Sequence, residues 1–116
     1  MKRFSLITMV LIITLFTIAE PSLAGDKGKQ FRILHVASYH MEWIWNQEQF
    51  QGFKDSLQGL NVEYAVMELD TKRRSDEASI LNKADAVRIK IEEWQPDLVY
   101  TNDDHAQNYV TRHYLG

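Results

Sequence analysis

Between two short apolar runs, Ile80, Ala84, Val87, Ile91 and Trp94 recur at spacings of 4, 3, 4 and 3. That places them on one side of a helix. The flanking runs, 62–69 (VEYAVMEL) and 98–102 (LVYTN), have the length and the β-branched and aromatic content of strands. A helix of this length between two strands is a crossover, so the strands are expected to be parallel and the connection right-handed. A similar unit precedes it. FRILHVAS (31–38) carries Ile33, Leu34 and Val36 in a run bounded by polar residues, as in a strand buried on both faces. His35 within it reads as a hydrogen-bonded core histidine. Phe50, Phe53, Leu57 and Leu60 follow at spacings of 3, 4 and 3, the apolar stripe of a second helix, which Gly59 ends.

Local signals set the expected helix ends. Asn46 with Gln49 three residues on has capping-box spacing, and so has Asp104 with Gln107. Ser75 is the expected cap of the stripe helix, with Asp76 and Glu77 in its first turn, where the helix dipole favours acids. Pro96 disfavours helix at Gln95. The order is therefore strand, helix, strand, helix, strand, helix. This is an α/β fold of the Rossmann-like kind, a parallel sheet flanked by helices. Three strands leave an edge without a neighbour, so the chain is expected to be the N-terminal part of a larger lobe.

The start of the chain has a different character. Lys2 and Arg3 precede an apolar run of 16 residues, 4–19, and Ser22 and Ala24 stand at the −3 and −1 positions of a cleavage site. The run is shorter than the roughly 20 residues of a membrane-spanning helix. Residues 1–24 are thus expected to be a secretory signal peptide, 25–31 a polar leader and 32–116 the α/β lobe. The chain holds 13 basic and 16 acidic residues, and removing 1–24 takes away two of the former and one of the latter. An acidic remainder argues against nucleic acid, which needs a basic stripe, and against an anionic membrane surface. The sequence has no cysteine, so neither a disulfide nor a lipid-attachment site is available. The expected location is the periplasm.

Ligands of open α/β sheets bind beyond the carboxyl ends of the strands. Here those ends are SYHMEWIW (38–45), DTKRRS (70–75) and NDDHA (102–106). The first loop is crowded with aromatic residues and has no glycine. Ser38, Tyr39, His40 and Trp45 are candidates to wall a pocket, although Trp43 and Trp45 could instead cover the first helix, Trp45 as a staple against Phe50. Asn102, Asp103 and Asp104 form the second candidate set. Asp104 is explained by capping, whereas Asp103 could accept from a ligand ammonium or hold a metal such as Mg²⁺. Lys72 to Arg74 read as a solvated loop. No glycine-rich phosphate loop follows the first strand, which excludes a dinucleotide or P-loop reading. There is no Cys nucleophile and no nucleophile elbow.

ILHVASYHMEWIWNQEQFQGFKDSL (33–57) resembles the opening of the ABC-transporter substrate-binding protein family with the type I periplasmic-binding fold. Ser38, Tyr39, His40, Trp45 and Gly52 carry the likeness, VEYAVMELDTKR is similar to that family's second strand and loop, and WQPDLVYTNDDHAQNYV to its third, with Pro96, Asp97, Asp103 and Asp104. The likeness covers 32–116, the first part of the first of two lobes. It implies a non-enzymatic module that binds a small organic solute, plausibly amino-acid-like, needs no cofactor and partners an ABC permease. Related domains serve as periplasmic sensors of signalling receptors such as histidine kinases. A metal-dependent hydrolase using Asp103 and Asp104 is the third alternative. A single lobe would leave any ligand half exposed, so weak binding by this chain alone is expected.

Overall fold

The computed structural model describes residues 28–116; the signal peptide read at 1–24 and residues 25–27 of the polar leader lie outside the described residues. The elements are β1 (Phe31–Ala37), α1 (Ile44–Ser56), β2 (Val62–Glu68), α2 (Glu77–Trp94), β3 (Leu98–Asn102) and α3 (Asp103–Tyr109), followed by a 3₁₀ turn at Thr111–His113. The strands form one parallel sheet in the order β2-β1-β3. Phe31 pairs with Val62 and Ala37 with Glu68 on one side of β1, and Ile33 with Leu98 and Ala37 with Asn102 on the other. The central strand is the most apolar and the most buried, as the sequence pattern requires.

Side chains alternate across a strand, and each face of β1 meets different helices. Leu34 and Val36 face α2 and α3, where they pack with Leu69, Ala84, Val87, Ala106 and Val110. Fully burying an aliphatic side chain contributes about 1.5–3 kcal/mol, and Leu34, Val36, Val87 and Val110 are all fully buried. His35 faces α1 instead, stacked on Phe50 at 4.5 Å and on Tyr100 at 4.8 Å between ring centroids. Phe53 stacks on Tyr100 at 4.2 Å, and Phe50 meets Tyr64 edge-on. Helix α1 thus lies on one face of the sheet and α2 and α3 on the other. None of the helices among the described residues is long and apolar enough to cross a membrane.

The helix ends differ from the sequence reading in instructive ways. Trp43, not Asn46, occupies the cap position of α1 and offers no side-chain bond. Asn46 is buried in the first turn because its amide serves tertiary partners described below. Asp76, rather than Ser75, caps α2, accepting from the Ser79 amide at 2.9 Å. Asn102, not Asp104, stands at the cap position of α3. Helix α2 ends at Trp94 as Pro96 demands, and Gln95 turns the chain in the left-handed region at φ 51°. The chain leaves α1 by a turn through Gly59, whose φ of 93° suits glycine. Asp97 then aligns β3 on β1 through reciprocal bonds with the Arg32 backbone, each 2.8 Å.

Candidate functional site

Beyond the carboxyl ends of the strands, β1 leads into a helix on one face and β3 into a helix on the opposite face. The two connections therefore diverge and leave a crevice between them, the position where open α/β sheets bind ligands. Its floor is a polar web centred on Ser38. The Ser38 hydroxyl donates to the Asn102 carbonyl at 2.6 Å and accepts from the Ala106 amide at 2.8 Å. The Ser38 carbonyl accepts from both the amide and the hydroxyl of Thr71, at 3.0 and 2.9 Å. One residue thus ties all three strand ends together. Ser38 is fully buried, and its hydroxyl is committed to backbone partners. It positions the loops.

Asn102 and Asn46 extend the web. The Asn102 amide donates to Asn46 Oδ1 at 3.3 Å and to Gln49 Oε1 at 2.9 Å, and Asn46 Nδ2 donates to the His40 carbonyl at 3.1 Å. These bonds pin the start of α1 against the end of β3. Buried amides cost free energy when unpaired, so this network gives Asn46 a stronger reason to be asparagine than capping does. Asn102 Oδ1 is buried without a partner among the described residues.

Above the floor stand aromatic side chains of the first and third loops. Tyr39 meets Trp43 edge-on at 5.1 Å and His105 at 6.4 Å, and His105 stacks on Tyr109 at 6.3 Å. The Lys72 ammonium lies 3.9 Å from the Trp43 ring centre and 4.8 Å from that of Tyr39, within cation–π range. Burial, and then the nearby Asp103 and Asp104 carboxylates, raise the Tyr39 phenol above its ordinary pKa of 10.0. Asp103 adopts φ 63°, and Asp70, at the end of the second strand, φ 54°. Aspartate tolerates this region better than most residues, yet such positions gather at functional sites. Asp103 Oδ2 and His105 Nδ1 are buried and find no partner among the described residues.

His40 lies to one side of this group. Its Nδ1 is 3.6 Å from Asp70 Oδ1, and Asp70 accepts from Arg73 Nε at 2.8 Å, while Arg73 also pairs with Glu42 at 2.8 Å. His40 and Asp70 link the first two loops. Trp45 falls inside the first turn of α1 and is 51 % exposed. It therefore cannot act as a staple placed before the cap, and it stacks on neither Tyr39 nor His105. Trp43 is the tryptophan that meets Tyr39. Lys72 and His105 also join the group unforeseen. The spacing of Tyr39 and Trp43 across a glycine-free turn was the only signal for the pair, and nothing local pointed to Lys72.

Among the described residues no group of three or more His, Asp or Glu side chains is arranged to hold a metal ion. A shallow cleft of about 420 Å³ also lies along the outer edge of β2, lined by Val66, Met67, Glu68, Asp70, Arg73, Lys83 and Ala86. It is separate from the crevice and contains none of its aromatic side chains. No family model matches the chain, and neither curated proteins nor solved structures give a match.

Proposed function

We propose that the chain is the ligand-binding part of an extracytoplasmic solute-binding protein that delivers a small organic solute to an ABC-type permease. The observation that carries this reading is the crevice between the ends of β1 and β3. Tyr39, Trp43 and His105 wall it, Asp103 Oδ2 is buried there without a partner among the described residues, and a hydrogen-bonded web beneath holds the loops in place. Aromatic walls with a few unspent polar groups are what a small-molecule site requires. The resemblance of 33–57 to the substrate-binding protein family supplies the transport context, and the hydrophobic leader supplies export.

Two measurements test the reading. Mass spectrometry of the exported protein is expected to find a mature start at Gly25; an intact leader in a membrane fraction would point to an anchored sensor. Ligand-observed NMR against amino acids and other small organic solutes reads weak binding directly. A hit is expected to lose about 30-fold in affinity in Tyr39→Ala or Asp103→Ala, the effect of losing an anchor worth about 2 kcal/mol, with little change in melting temperature. Unchanged affinity in both folded variants would remove the crevice as the site.

A further inference from the structure

The crevice carries its own cation. The Lys72 ammonium sits over two rings at once, Trp43 at 3.9 Å and Tyr39 at 4.8 Å, and those rings stand at 75° to each other. Two aromatic faces set nearly at right angles form adjacent walls of a cage. Other lysines also lie over rings: Lys54 over Phe50 and Lys90 over Trp94. Each of those covers one ring that is already packed against the sheet or the core, as the stem of a surface lysine commonly does. The site at Tyr39 and Trp43 differs in having two walls. Among the described residues no carboxylate comes within ion-pairing distance of Lys72, whereas its neighbour Arg73 is paired twice. What holds the ammonium in place is the aromatic pair.

Resting on the solute-binding reading above, we propose that this crevice selects an organic cation, a small quaternary or alkylated ammonium, and that Lys72 occupies the cation position until the ligand displaces it. Ring quadrupoles attract a weakly hydrated ammonium more effectively once it is desolvated. A quaternary ammonium keeps its charge and loses less hydration than the lysine it replaces. Asp103 and Asp104 add negative charge beside Tyr39. Asp103 Oδ2 has no partner among the described residues, which leaves it to accept from a hydroxyl or an N–H on the same solute. Lys72 is exposed and lies in the turn after β2, so its side chain can swing into solvent without disturbing the floor.

Choline and its uncharged carbon isostere, 3,3-dimethylbutan-1-ol, are the probes, titrated into the full chain while the ring signals of Tyr39 and Trp43 are followed by NMR. Choline is expected to shift both signals and the isostere to bind several-fold more weakly. Lys72→Met keeps the alkyl stem and removes the competing charge; it is expected to bind choline about five- to tenfold more tightly. This gain is the informative result, because an unfolded variant cannot produce it. Adding Trp43→Leu to Lys72→Met is expected to erase the gain. Equal binding of choline and the isostere, or unchanged choline affinity in Lys72→Met, overturns the proposal. A neutral or anionic solute that binds at Tyr39 and Trp43 where choline does not overturns the cation and leaves the solute-binding reading standing. Failure of every solute at these rings overturns both.

Discussion

On the face of the sheet covered by α2 and α3, Leu34, Val36, Ala84, Val87, Ala106 and Val110 make an aliphatic core with no ionisable group in it. On the face covered by α1, a histidine lies at the centre of an aromatic stack, with Phe50 on one side of His35 and Tyr100 on the other. The two faces share a backbone and alternate residue by residue along β1, yet they respond to solution conditions differently. The aliphatic face is held chiefly by burial, and no ionisable group lies among its buried residues. The aromatic face holds a fully buried imidazole, whose pKa burial lowers from 6.5 to about 4, against the partly opposing bond to the Tyr100 carbonyl. The neutral ring carries its proton on Nδ1 to make that bond, leaving Nε2 without a partner among the described residues.

The largest expected effect breaks the aliphatic face. Leu34→Ala removes a fully buried side chain and is expected to cost about 3 kcal/mol, read as a lower urea midpoint. That loss is expected to be the same at pH 7 and pH 5. A loss that varied strongly with pH would mean the two faces are not independent.

The aromatic face is sharpened by acid. Above pH 6.5 His35 is neutral in both folded and unfolded chains, and its contribution is fully present. Between 6.5 and about 4 the unfolded chain takes up a proton that the folded chain does not, so stability falls as pH falls. The full loss is about 3 kcal/mol, reached only near the lower end of that window. His35→Phe keeps a ring between Phe50 and Tyr100 and is expected to flatten this part of the stability–pH curve. An unchanged slope in the variant would place the acid sensitivity elsewhere.

Where the faces meet, Ser38→Ala takes away a buried hydroxyl that donates to the Asn102 carbonyl and accepts from the Ala106 amide. A cost of about 2 kcal/mol is expected, with early hydrogen exchange at the start of α3. Protection equal to wild type there would show that the web is not what fixes the crevice.

The sequence made some of this legible and hid the rest for physical reasons. Strand positions, the α2 stripe and the core role of His35 follow from periodicity and local breakers, which act over a few residues. The caps misled because the decisive partners are remote. Asn46 looks like a cap by its spacing to Gln49, but its amide is committed to Asn102, 56 positions away. Asp104 looks like a cap as well, but the amide of Ala106 is satisfied by Ser38. Trp43 and Trp45 are chemically alike, and only the true first residue of α1 tells which of them turns toward Tyr39. The strand-end loops could be named as a candidate site from strand order, whereas the meeting of Lys72 with the aromatic pair needed three dimensions.

The bonds of Ser38 also bear on how the chain folds. They close rings of 33, 64 and 68 residues, and contacts of such separation form slowly because chain entropy must be lost first. The penalty grows only logarithmically, by about 0.6 kcal/mol per doubling of length, so the distant closures cost little more than the near one once β3 has docked beside β1. Until then the first loop has no floor. The polar web beneath these loops is thus a property of the completed topology, and a chain that has not yet placed its third strand has not formed it.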